Sequence, residues 1–155
     1  MFAWAYEDLR TYDAGIIKHK IPLKEEAKPF RQKLRQINHM LLPIMERKVK
    51  KLLDAQIIMP LRYSEWVANL VPVRKKSGKI RLCVDFRNLN RSSKKENYPL
   101  PKMEHILQRV TGASRISMID GFSGYNQGFV LPEDKENTTF TTPGARSCML
   151  KCPLD

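Results

Sequence analysis

From residue 67 the chain runs Val67-Ala-Asn-Leu-Val-Pro-Val-Arg-Lys-Lys-Ser-Gly-Lys-Ile-Arg-Leu-Cys-Val-Asp-Phe-Arg87, two β-prone runs on either side of Ser77-Gly78. Such runs joined by a short Gly-containing turn read as a hairpin. Because successive side chains of a strand point to opposite faces, Ile80, Leu82, Val84 and Phe86 share one face, and Arg81, Cys83, Asp85 and Arg87 the other. The hairpin should therefore have an apolar face, a charged face, and Lys75, Lys76 and Lys79 clustered at its tip.

Upstream, Pro43 suits the first position of a helix, and Met45, Val49, Leu52 and Leu53 recur on one helical face. The spacing predicts a helix over about 43–55, with Lys48, Lys50 and Lys51 off the apolar stripe. Before it, residues 1–15 read as a lead-in in which Phe2, Trp4 and Tyr6 alternate with small or polar residues, a pattern that can dock as an edge strand. Downstream, Pro101 followed by Met103, Ile106, Leu107 and Val110 predicts a second helix, with Gly112 as its C-cap. Ile116-Ser-Met-Ile-Asp120 reads as a short strand. Residues 128–131 and 138–142, joined by Pro-Glu-Asp-Lys-Glu, read as a second hairpin. Hairpins mixed with helices predict an α+β fold on an antiparallel sheet.

The chain has 155 residues, 42% hydrophobic and 28% charged, enough for one domain of ordinary size. No apolar run approaches the ~18 residues needed to cross a bilayer, and the first ten residues lack the pattern of a signal peptide. A soluble, intracellular protein, cytoplasmic or nuclear, is expected. Cys83, Cys148 and Cys152 do not form metal-ligand spacings or an even disulfide set, which fits a reducing compartment. The formal net charge of +12 is uneven. Residues 14–62 hold twelve basic and four acidic groups and residues 63–98 nine and three, while residues 99–155 are balanced at six each. Concentrated positive charge points to a polyanion, most simply nucleic acid.

Asp120 is the carboxylate that stands out, since a strand ending there would present it at the sheet rim. By itself Asp-Gly is a common turn dipeptide. Its weight comes from the neighbouring Gly121, Gly124 and Tyr125 and from the basic hairpin, because phosphoryl transfer needs carboxylates for Mg²⁺ and cations for a triphosphate. His19, His39 and His105 lie far apart and read as structural. Ser123 has no Gly-x-Ser-x-Gly context, and no Gly-rich phosphate loop is present.

Val73-Arg-Lys-Lys-Ser-Gly-Lys-Ile-Arg-Leu-Cys-Val-Asp-Phe-Arg-Asn-Leu-Asn90, Tyr98-Pro-Leu-Pro101 and Met118-Ile-Asp-Gly-Phe-Ser-Gly-Tyr-Asn-Gln127 resemble, in order and spacing, the reverse transcriptase of gypsy-type LTR retrotransposon polyproteins. Phe2-Ala-Trp-Ala-Tyr-Glu-Asp8 and Glu65-Trp-Val-Ala-Asn69 look like the lead-in found there, so the likeness runs from about residue 2 to 143. It implies an RNA-directed DNA polymerase, a nucleotidyltransferase with a right-hand architecture. After the lead-in at 1–15, residues 16–100 would form a fingers-like region and 101–143 the first part of the palm. It further implies that Asp120 is the first catalytic, metal-binding carboxylate. Tyr125 would be the steric gate against a 2′-OH, Arg81 and Lys75 or Lys76 would hold the triphosphate, and Asp85, Arg87 and Asn90 would touch the template. Mg²⁺, dNTP and an RNA/DNA template-primer are the cofactor and partners implied.

The chain also departs from that pattern. The fingers tip has Ser77 where the family usually has Asp, and Asn137 stands at a position where Lys is common. The sequence reaches Asp155 before the Tyr-x-Asp-Asp hairpin that brings the second and third carboxylates, and before thumb, connection and ribonuclease H regions. An incomplete palm, weak Mg²⁺ binding, no polymerase activity from this chain alone, and self-association through an unpaired sheet edge are expected. Residues 144–155 do not resemble the family. Their codons can be written so that a shifted frame gives Trp-Gly-Thr-Phe and Pro-Phe-Gly-Leu, which predicts a frameshift near Pro143. A basic nucleic-acid-binding module without catalysis, and an enzyme completed by a partner chain, are the alternatives.

Overall fold

The computed structural model describes residues 8, 10–16, 18–95, 99, 101–117 and 124–151, with only the backbone of Gly124 and Tyr125. The predicted first helix is α1, Leu42–Asp54, with Pro43 in its first turn. Met45 and Val49 are buried, and Leu52 and Leu53 pack beside them, so the 3.6-residue stripe is the core face. Lys50 and Lys51 are exposed, and Lys48 is half-buried.

The helix ends in a Schellman arrangement: Ile57 N–H donates to the Leu52 carbonyl and Gln56 N–H to the Leu53 carbonyl, each at 2.9 Å. Gln56 sits at φ +52° to make that turn, a conformation that costs a side-chain-bearing residue roughly 1–2 kcal/mol. Gln56→Gly is therefore expected to raise stability by up to about 1 kcal/mol, once the entropy glycine adds to the unfolded chain is subtracted. Equilibrium urea unfolding checks this, and an unchanged or lowered midpoint would remove the strain argument.

The chain then enters the main sheet. Its strands are β2 (Ile58–Pro60), β3 (Ala68–Arg74), β4 (Ile80–Val84), β6 (Phe140–Thr142) and β7 (Ala145–Met149), in the order β2-β7-β6-β3-β4. β3 and β4 form the predicted hairpin, with Leu70 opposite Val84 and Arg74 opposite Ile80. Lys75 N–H donates to the Lys79 carbonyl at 2.8 Å, and Gly78 takes φ +79°, the left-handed turn conformation that favours glycine. Pro72 lies in the middle of β3, where a missing N–H would normally break a ladder. β6 reaches only Ala68 and Asn69, and Pro72 occupies a non-hydrogen-bonded pair with Leu82, so no strand bond is lost there.

The sheet is mixed rather than antiparallel, since β3 and β6 run parallel. The expected hairpin of 128–131 with 138–142 is not formed. Phe129–Val130, β5, pairs instead in parallel with β1, Lys18–His19. The connection explains the difference. Residues 132–134 and 136–138 are short 3-10 turns. The buried Asp134 carboxylate accepts a 2.8 Å bond from Ile21 N–H and a 3.1 Å bond from Asn137 Nδ2. That carboxylate ties the linker to the segment after β1 and turns β6 toward β3. β6 then pairs antiparallel with β7, whose Ser147 and Cys148 are buried. The segment set apart at 144–155 is thus built into the sheet through β7, and residues 152–155 lie outside the described residues.

Phe140, at 1% exposure, is the largest fully buried side chain and packs with Met45, Val49, Ile57, Ile58, Ala68 and Leu70. α3, Met103–Val110, is the second predicted helix, followed by Gly112 at φ +88°. Its apolar stripe is not covered by the described residues: Met103, Ile106 and Leu107 are all exposed. A helix not expected from the sequence, α2, spans Arg87–Ser92 and anchors itself through buried Leu89. Residues 116 and 117 are in no strand, and the rest of the strand predicted over 116–120 lies outside the described residues. No helix among the described residues is long and apolar enough to cross a membrane.

Candidate functional site

The β3–β4 hairpin projects five cations over eight positions: Arg74, Lys75, Lys76, Lys79 and Arg81, all exposed. Arg81 stands in register with Val73. Among the described residues no carboxylate pairs with Lys75, Lys76 or Lys79. Crowding like charges in this way costs free energy that a polyanion offsets on binding.

The alternation read from the sequence holds through Val84 and stops there, because the chain leaves β4 and turns into α2. Asp85 and Arg87 consequently meet each other. Arg87 Nε donates to Asp85 Oδ1 at 2.7 Å and Nη2 donates to Oδ2 at 2.6 Å, a bidentate fork. The guanidinium holds the Asp85 carboxyl below its ordinary value. The Arg87 side chain is 78% exposed and that of Asp85 15%, so the fork presents a fixed guanidinium to solvent from a shielded carboxylate. Asn90, one turn along α2, is exposed beside it.

The sequence gave no sign of the residue that organises this corner. Gln32 lies in a polar stretch without periodicity, yet Arg31 forms a parallel bridge with Val67 and Gln32 N–H donates to the Val67 carbonyl at 2.8 Å. Its side chain then reaches across β3 to the end of β4. An open cleft of about 1130 Å³ lies on this side of the sheet, with Arg35, Arg62, Tyr63, Asn69 and Arg146 in its walls.

Asp120, the expected catalytic carboxylate, lies outside the described residues, and of Tyr125 only the backbone is placed, in a 3-10 turn over Gly124–Gln127. The structure therefore brings together Asp85, Arg87 and Asn90, and gathers Lys75, Lys76 and Arg81 on the adjoining hairpin. Among the described residues no three His, Cys, Asp or Glu side chains form a set able to hold a metal ion. The thiols of Cys83 and Cys148 are free, and burial pushes that of Cys148 up from its ordinary value.

No family model matches the chain. Curated relatives do. The chain is 27% identical over 146 residues, 90% of its length, to the retrovirus-related Pol polyprotein from transposon 412 of Drosophila melanogaster. It is 31% identical over 116 residues, 71% of its length, to that from the transposon gypsy of the same organism. It spans only 12% and 11% of those relatives. Among solved structures, foamy viral protease-reverse transcriptase in complex with RNA/DNA hybrid matches 96% of this chain and 20% of its own, with TM-score 0.73 and 18% identity. The chain is thus similar to retrotransposon Pol polyproteins over most of its length, and it shares its fold with a part of a viral protease-reverse transcriptase.

Proposed function

We propose that the chain is the fingers and the first part of the palm of a gypsy-type retrotransposon reverse transcriptase, an RNA-directed DNA polymerase, and that its basic hairpin binds an RNA/DNA template-primer. In this reading residues 16–100 are fingers-like and 101–143 belong to the palm. Lys75 or Lys76 and Arg81 hold the triphosphate of the incoming dNTP, Asp85, Arg87 and Asn90 face the template, Asp120 would hold Mg²⁺, and Tyr125 excludes a 2′-OH. The observation that carries it is the β3–β4 hairpin, whose exposed lysines lack carboxylate partners among the described residues and stand beside the forked Arg87.

Binding of a labelled RNA/DNA hybrid as a function of salt tests the reading. Each phosphate contact contributes about 0.9 to the slope of log affinity against log salt. Lys75→Ala/Lys76→Ala should reduce that slope by about two units, and Lys135→Ala, outside the basic part of the chain, should leave it unchanged. Equal losses from the two variants would show that net charge alone governs binding and would refute the assignment of the hairpin.

A further inference from the structure

Asn69 and Asp85 face each other where β4 ends, and they share only one direct backbone bond, from Asp85 N–H to the Asn69 carbonyl at 2.9 Å. The other two backbone groups of this pair are bridged by a side chain. Asn69 N–H donates to Gln32 Oε1 at 2.8 Å, and Gln32 Nε2 donates to the Asp85 carbonyl at 2.8 Å. The amide of Gln32 therefore stands in for a peptide group and widens the ladder by one inserted rung. Its second Nε2 hydrogen reaches Asn88 Oδ1 at 2.9 Å, on the first turn of α2. One side chain fixes the end of β3, the backbone of Asp85 and the start of α2.

We infer that Gln32 is a positioning residue for the nucleic-acid contact made by Arg87, setting the Asp85–Arg87 fork through the Asp85 carbonyl and Asn88. The inference rests on the reading of Arg87 as a template-facing residue. Both Nε2 hydrogens and one acceptor site of Oε1 are engaged, and only an amide supplies two donors and an acceptor at that reach. A carboxylate could accept from Asn69 but could not donate to Asp85 or Asn88. An aliphatic side chain could do neither, and the fork would lose its fixed backbone. The lysines of the hairpin tip lie at the far end of β3 and do not depend on this rung.

The test is a double-mutant cycle in the full chain, read by equilibrium binding of a labelled RNA/DNA hybrid below the melting temperature of every variant. Arg87→Ala should weaken binding about three- to tenfold and lower the salt slope by about one unit. Gln32→Leu should produce a comparable loss, and Gln32→Glu, which keeps the Asn69 bond and so folds more readily, should weaken binding as well. Combining either Gln32 variant with Arg87→Ala should add nothing to Arg87→Ala alone, while combining it with Lys75→Ala/Lys76→Ala should multiply the two losses. A merely structural role would multiply in both combinations, and that result overturns the inference. Unchanged binding on Arg87→Ala would instead refute the template-facing reading of Arg87 on which the inference stands.

Discussion

Phe140→Ala is expected to leave the chain largely unfolded at physiological temperature. Phe140 sits on β6 between β3 and β7, opposite Ala68 on one side and Ser147 on the other, and is 1% exposed. Its ring is the contact that joins α1, through Met45 and Val49, to the sheet. Truncating a buried phenylalanine removes its transfer free energy and leaves a cavity, together about 3–5 kcal/mol. That is a large part of the roughly 5–15 kcal/mol that holds a typical domain folded. Tyr63→Ala, at a site 83% exposed, should shift stability by less than about 0.5 kcal/mol. Urea unfolding followed by circular dichroism separates the two, and a Phe140→Ala variant that unfolds at the wild-type midpoint would mean that the core is elsewhere.

The second large effect concerns chemistry. We expect these 155 residues, expressed as they stand, to extend no primer on an RNA template in Mg²⁺ or Mn²⁺. In two-metal phosphoryl transfer several carboxylate oxygens hold the ions that stabilise the attacking and leaving oxygens, and Mg²⁺ supported by few protein oxygens keeps most of its waters. No Tyr-x-Asp-Asp sequence occurs in the chain, which leaves Asp120 as the one carboxylate that the resemblance assigns. Each 1.36 kcal/mol of lost transition-state stabilisation costs about tenfold in rate, so the loss of a metal's full contribution of several kcal/mol takes the reaction below detection. A primer-extension assay on the purified chain checks this. Extension that vanishes on Asp120→Asn would contradict it and point to an enzyme completed by association with another chain.

Much of the local structure was legible because two periodicities were clean. The stripe Met45, Val49, Leu52 and Leu53 placed α1 to within a residue of Leu42–Asp54, and alternation about Ser77-Gly78 located β3 and β4. What escaped was either too short to carry a period or long-range. α2 has six mostly polar residues, less than two turns. β1 and β5 are two residues each and meet across a long stretch of chain, so their parallel pairing left no local trace. Asp134 read as part of a polar loop, whereas its carboxylate directs the chain away from the expected hairpin by accepting from Ile21. The candidate site divided in the same way. The lysine tip followed from sequence, but the Asp85–Arg87 fork did not, because extrapolating the strand past Val84 put the two residues on a common open face instead of against each other. Gln32 was illegible because its role is set by three partners on three other segments.

The central claim, that the β3–β4 hairpin and the adjoining start of α2 form the nucleic-acid interface, is tested most directly by photo-crosslinking an RNA/DNA hybrid with a single-stranded template extension to the full chain and mapping the attached peptides by mass spectrometry. The account predicts that crosslinks concentrate within residues 68–92 and disappear from the hairpin tip in Lys75→Ala/Lys76→Ala. Crosslinks concentrated instead on the exposed lysines of α1, Lys50 and Lys51, with residues 68–92 unmodified, would contradict it.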